Sequence, residues 1–203
     1  MTTPMTTSGI PVDVDQLREE IRRTYTDVST DQDQEFIFPT GRAWAQELGY
    51  PEPALSRVPD ATVESFAGVA NHWRLGDVEL GSVVLDLGCG AGTDLLIAAQ
   101  CCGQAIGVDM TPAMLERAET SAHEMGLTNV ELHESLIEAL PIPDASVDIV
   151  ISNGVIDLVP DKDAVFAEID RVLRPGGRVQ LADVIVHTAV SEDARERIDL
   201  WTG

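Results

Sequence analysis

The chain has 203 residues, enough for one domain of ordinary size with a buried core and a modest extension at one end. Thirteen Lys and Arg stand against 35 Asp and Glu, and the resulting charge of -22, spread along the chain, repels nucleic-acid phosphates and anionic membranes. Three cysteines, Cys89, Cys101 and Cys102, are too few for a disulfide framework and share no metal-ligand spacing with the histidines. With no basic, apolar leader and no run near about 20 apolar residues, the expectation is a cytoplasmic protein with no metal and no membrane or nucleic-acid partner.

Residues 1–12 are small and polar and read as a disordered leader, ahead of a helical cap and covering loop over 13–73 and a main domain over 74–203. From Val14, the apolar residues Leu17, Ile21, Tyr25 and Val28 recur at the spacing of one helical face. A short helix is expected at Arg42 to Leu48, ended by Gly49 and Pro51. From Ser82 the pattern changes to short β-branched runs alternating with helical stretches. Strands are placed at Val83 to Leu87, Gln104 to Val108, Val130 to Glu134, Val147 to Ser152 and Gly177 to Val186. Helices are placed at Thr93 to Cys101, Pro112 to Met125 and Asp161 to Leu173, with a turn near Ile137 and a charged helix at Ser191 to Leu200. Short right-handed connections in this order predict an α/β, Rossmann-like, doubly wound and mostly parallel sheet.

The segment Val83-Val84-Leu85-Asp86-Leu87-Gly88-Cys89-Gly90-Ala91-Gly92-Thr93-Asp94 is a buried strand running through alternate glycines into a helix. Glycine admits close approach of a ligand to backbone and tolerates positive φ, and a helix N-terminus offers free N–H groups. Asp86 closes the first strand, and a second carboxylate, Asp109, stands at the end of the next, about 20 residues on, where a nucleotide-binding unit accepts hydrogen bonds from ribose hydroxyls. A tight turn with no ligand is the alternative for the glycines alone. The spacing Gly88-x-Gly90-x-Gly92 differs from the Gly-x-Gly-x-x-Gly of dinucleotide sites, which argues against an NAD-dependent oxidoreductase.

This loop resembles the first motif of class I S-adenosylmethionine-dependent methyltransferases. The resemblance continues through Gly107-Val108-Asp109-Met110, Val147-Asp148-Ile149-Val150-Ile151-Ser152-Asn153 and Arg171-Val172-Leu173-Arg174-Pro175-Gly176-Gly177, covering about residues 63–201. It implies S-adenosylmethionine as cofactor: Asp86 and Cys89 in the loop, Gly88, Gly90 and Gly92 along the methionine part, Asp109 on the ribose, Met110 on the adenine and Asn153 at the methionyl end. The position that usually contacts the adenine amino group with an acid is Leu136 here, leaving adenine to backbone groups near Ile137.

The stretches Gly107 to Leu115 and Ile151 to Lys162 resemble arsenite methyltransferases and their relatives. Those enzymes hold arsenic on thiolates, soft ligands for a soft metalloid. The matching positions here are Val69 and Gly154, so arsenite methylation is disfavoured and an unidentified small-molecule acceptor is expected. His72 as a base, Asn153 and Tyr25 are the catalytic candidates, and Phe66, Asn71 and Trp73 are candidates for covering the site. Packing of the cap is the alternative for these cap residues. The resemblance further implies an antiparallel pair beyond the fifth strand, so the sheet reads as truncated, with an open edge through which a second copy could pair. A non-catalytic or incomplete S-adenosylmethionine-binding module is the rival reading.

Overall fold

The computed structural model describes residues 13–30, 36, 38–185 and 187. The expected leader and the charged helix at Ser191 to Leu200 lie outside the described residues. Helix α1 (Val14–Thr30) starts where the Asp13 carboxylate accepts from the backbone N–H of Asp15 and Gln16, satisfying two of the helix's orphan donors. Its Leu17, Ile21 and Val28 are buried, as their spacing requires. Three short helices follow: α2 (Gly41–Glu47), α3 (Glu52–Leu55) and α4 (Asp60–Val63), the last two each opening directly after a proline. A 3-10 turn, His72–Leu75, leads to the sheet.

The sheet comprises β1 (Val83–Leu87), β2 (Gln104–Asp109), β3 (Val130–Glu134), β4 (Val147–Asn153) and β5 (Leu173–Ala182), all pairings parallel, in the order β3-β2-β1-β4-β5. Helices α5 (Thr93–Ala99), α6 (Pro112–Glu124) and α7 (Lys162–Val172) form the crossovers. One face buries Leu85, Leu87, Val108, Val147 and Val150 against Val165, Ile169 and Val172 of α7. The cap packs as a second core, with Tyr50, Leu55, Val63 and Phe66 against Leu96 and Ile97 of α5 and Ala122 of α6. Each such buried aliphatic contributes roughly 1.5–3 kcal/mol, so the cap is held by packing rather than tethered by chain alone.

Strand order reverses across β1: the chain moves to β2 and β3 on one side and to β4 and β5 on the other. Ligands of open α/β sheets bind at such a switch point, outside the carboxyl ends of the strands. Register sets the residues there. Leu87 lies opposite both Val108 and Ser152, so the next residues, Gly88, Asp109 and Asn153, emerge level at one edge.

Several expected boundaries are corrected. Helix α5 stops at Ala99, and Cys101 and Cys102 lie in the turn that follows. Strand β5 begins at Leu173, not Gly177, and ends at Ala182, short of Val186. Leu173 pairs with Val147 and pairing resumes at Arg178 with Ile149, so Arg174-Pro175-Gly176-Gly177 forms an irregularity within the strand. Proline is tolerated because, among the described residues, β5 is the outer strand of the sheet.

Candidate functional site

Strand β1 ends in Asp86-Leu87 and passes into the glycine turn, where Gly88, Gly90 and Gly92 all have positive φ. At Gly88 an added methyl would collide with the Val155 side chain, so a glycine is what lets the two loops meet. Gly88 and Cys89 donate backbone N–H to Val108 O at 2.8 and 3.1 Å, fixing the turn to the end of β2. The Asp109 carboxylate completes the link: Oδ2 accepts from Gly90 N at 2.9 Å and Oδ1 from Thr111 N at 2.8 Å. Burial raises the Asp109 carboxyl above its ordinary value, and these backbone hydrogen bonds offset part of that rise.

Above this turn, a cavity runs along the carboxyl edge of the sheet. Of the residues expected from sequence, Asp86, Gly88, Cys89, Asp109, Met110, Leu136, Ile137, Asn153, Tyr25 and Phe66 line it. Asp86 is 3% exposed and its Oδ2 has no hydrogen-bond partner. Burial, then the charges of Asp94 and Asp109, hold its carboxyl well above the usual range. Such a carboxylate is poised to receive a donor or cation from a ligand.

Other expectations are corrected. Gly90 and Gly92 do not line the cavity. Gly90 is engaged through its N–H with Asp109, and Gly92 lets the turn pack on α6, where an added Cβ would stand 3.1 Å from that of Ala118. His72 does not reach the cavity either. It is 1% exposed, with Nε2 3.2 Å from Asp94 Oδ1 and its ring tilted on Trp73 at 4.6 Å, which places it behind the wall beside Asp94. Asn71 and Trp73 likewise serve the cap: Asn71 donates to Gly49 O, and Trp73 Nε1 donates to Asp94 at 2.8 Å.

Asp94 is thus the hub of a buried network. It accepts from Tyr50 Oη at 3.0 Å and Asn153 Nδ2 at 3.2 Å as well as from Trp73. Burial alone would raise its carboxyl, but the adjacent His72 and the hydrogen bonds from Tyr50 and Asn153 outweigh it, and the net value is lowered. Asn153 carries the network onward, accepting from Val69 N at 2.8 Å and donating to Ala70 O at 2.9 Å, so that the end of β4 holds the covering loop. Burial first, then the charges of Asp157, Asp109 and Asp183, raise the ionisation of Tyr25 far above the ordinary value, so it stays neutral.

Sequence reasoning missed Arg18, Asp94, Ser135 and Glu138, all of which line the cavity. Asp94 stood within the glycine segment and was readable there. Arg18 lies three residues before Ile21 on α1, a polar position adjoining the apolar face, but its partner Glu138 is 120 residues away and no local pattern joins them. Among the described residues, no cluster of three or more His, Cys, Asp or Glu is arranged to hold a metal ion, and no helix is long and apolar enough to cross a membrane.

Residues 79–201 match the model of a methyltransferase domain. The chain belongs to the S-adenosylmethionine-dependent methyltransferase family. It is 39% identical over 167 residues to the arsenite methyltransferase of Halobacterium salinarum, a match covering 81% of this chain and 42% of that protein. An arsenic(III) S-adenosylmethionine methyltransferase from Chlamydomonas reinhardtii superposes with a TM-score of 0.65 at 38% identity, covering 70% of this chain and 51% of that one. The YcgJ protein of Bacillus subtilis superposes with a TM-score of 0.51 at 34% identity, over 53% of this chain and 46% of that one. This methyltransferase-family chain therefore spans about half the length of the relatives it matches.

Proposed function

We propose that the chain binds S-adenosylmethionine in the cavity at the switch point and transfers its methyl group to a small-molecule acceptor. The observation that carries this reading is the level placement of three groups at one sheet edge: Asp86 with an unpartnered buried oxygen, Asp109 bridging two loops, and Asn153. Asp109 holds the ribose hydroxyls, Met110 packs on the base, Asp86 takes the ammonium of the methionine part, and Asn153 faces the reactive end. Gly90 and Gly92 act by shaping the turn rather than by lining the ligand.

When bound, the cofactor supplies a methyl carbon on an electron-poor sulfonium. The residues around it contribute alignment, which suffices for a donor already reactive. The apolar wall of Val155, Leu158, Val159 and Phe66 excludes water from the acceptor path, and the neutral Tyr25 hydroxyl orients the acceptor from α1.

Two of the named relatives are arsenite or arsenic(III) methyltransferases, but the positions that would carry thiolates are apolar here. They do stand together: a Cβ built on Gly154 would lie 3.0 Å from Val69 Cγ1. The thiol of Cys89 is buried, and burial with the Asp109 and Asp86 charges pushes it well above the ordinary value, so it is no substitute ligand. An acceptor other than thiolate-held arsenite follows. The family match does not favour a non-catalytic module.

Calorimetric titration with S-adenosylhomocysteine tests the site before any acceptor is chosen. Binding is expected for the unaltered chain and weaker by about tenfold or more for Asp109→Ala, in which hydrogen bonds to a charged group are lost. Radiolabelled methyl transfer to a panel of small amines, phenols, thiols and arsenite then tests turnover. Methylation of arsenite at the rate of the best acceptor would overturn the acceptor assignment, and absence of nucleoside binding would overturn the whole reading.

A further inference from the structure

The lining of the cavity is acidic. Among the described residues that line it, Arg18 is the one base, and its Nη2 donates to Glu138 Oε1 at 3.0 Å, so that pair cancels. Asp86, Asp94 and Asp109 remain. An acidic turn also adjoins the apolar wall: Asp183 accepts from Ile156 N at 3.0 Å and from Asp157 N at 3.3 Å, next to the lining residues Val155 and Leu158. Two aromatic residues, Phe66 and Tyr25, complete the lining. Phe66 is fixed edge-on against Tyr50 at 5.0 Å, and Tyr25 stacks on Phe38 at 6.1 Å. Aromatic rings and nearby carboxylates together attract a cation, including one with no N–H or O–H to donate.

The carboxylates of the lining are already engaged. Asp109 spends its oxygens on Gly90 N and Thr111 N, and Asp94 accepts from Trp73, Tyr50 and Asn153. His72 lies behind the wall, and Tyr25 stays neutral. With Asp86 on the ammonium of the cofactor, no group among the described lining residues is placed to take a proton from an acceptor.

That limits the acceptor. In the transfer the S–CH3 bond of the sulfonium breaks and its electron pair stays on sulfur. An acceptor lone pair forms the new bond to carbon, so the positive charge moves onto the acceptor. A hydroxyl, phenol or thiol then needs a base to carry off its proton. A lone pair that bears no proton needs none and keeps the charge as an onium cation, for which rings and carboxylates are the matched surroundings.

We propose that the acceptor is an apolar, uncharged molecule with a proton-free lone pair, on a weakly basic ring nitrogen or a thioether sulfur, and that Tyr25, Phe66 and the acidic lining hold the onium product. The assignment rests on the cofactor reading above.

Calorimetry of the full chain saturated with S-adenosylhomocysteine compares N-methylpyridinium with toluene, its uncharged isostere. The cation is expected to bind about tenfold more tightly. Tyr25→Phe keeps that preference and Tyr25→Leu loses it, which separates an aromatic contact from attraction to the acidic surface at large. Phe66→Leu narrows it too, and decides the matter should Tyr25→Leu fail to fold. With labelled S-adenosylmethionine, pyridine and thioanisole, the nitrogen and sulfur arms, are expected to be methylated without proton release. Phenol and phenylmethanethiol, of matching size, are expected to react more slowly by about tenfold or more. Faster methylation of phenol or phenylmethanethiol overturns the proposal; should none of the four react, the preference for the cation decides. Binding of S-adenosylhomocysteine with no such preference overturns this assignment alone. Failure to bind S-adenosylhomocysteine overturns the cofactor reading and the assignment with it.

Discussion

Burial and the neighbouring charges of Asp94 and Asp109 keep a proton on Asp86 to higher pH than on an ordinary carboxyl. A cationic ligand group stabilises the ionised form and pulls that value back down on binding. Between the bound and free values, binding therefore releases a proton, and affinity rises with pH across the same window. Calorimetry of S-adenosylmethionine in buffers of different ionisation enthalpy is expected to show this proton release, and Asp86→Asn is expected to abolish it. An identical heat in all buffers would remove Asp86 from contact with the ligand's charge. Asp94, beside it, behaves in the opposite sense: its net lowered value, set by His72, Tyr50 and Asn153 against burial, keeps it ionised and committed to the network.

At the level of elements, the turn between β1 and α5 depends on conformations closed to most residues. Gly92 has φ +95° and its missing Cβ faces Ala118 at 3.1 Å, so Gly92→Ala is expected to lower stability by about 1–3 kcal/mol, measured by chemical denaturation. The 3-10 turn Ile156–Leu158 is tied to the end of β5 by Asp183, which accepts from Ile156 N at 3.0 Å. Burial, then the facing Asp183 carboxyl, pushes Asp157 up to about 7. Because this value is raised on folding, the stabilisation it brings is complete below the ordinary carboxylate range and is lost as pH rises through about 7. Melting temperature is expected to fall between pH 5 and 8, and the fall to flatten in Asp157→Asn. The parallel strands were legible because buried β-branched runs such as Val147 to Ser152 have few other readings. The loop acids Asp86 and Asp109 were legible because spacing alone brings them to one edge. The start of β5 was not, since Pro175-Gly176-Gly177 imitates a strand break and only pairing with β4 shows that the strand already begins at Leu173. Helices α3 and α4 were missed because four residues cannot display a helical period. The places of His72 and Arg18 depend on partners far away in sequence, Asp94 and Glu138, which composition cannot supply.

Across the whole molecule, 35 acids against 13 bases make the compact state repel itself. Raising sodium chloride from low concentration to about 0.5 M shortens the screening length to a few ångströms, so melting temperature is expected to rise. A salt-independent melting temperature would mean that the acids are already neutralised locally by pairs such as Arg171 with Glu168 and Asp144. Two indole groups reach residues that line the cavity: within the cap, Trp44 Nε1 donates to Gly68 O at 2.7 Å, and from the cap to α5, Trp73 Nε1 donates to Asp94 at 2.8 Å. Any molecule entering that space alters the electric field at two emitting rings, so the protein carries its own optical gauge of occupancy, readable by tryptophan emission without a label.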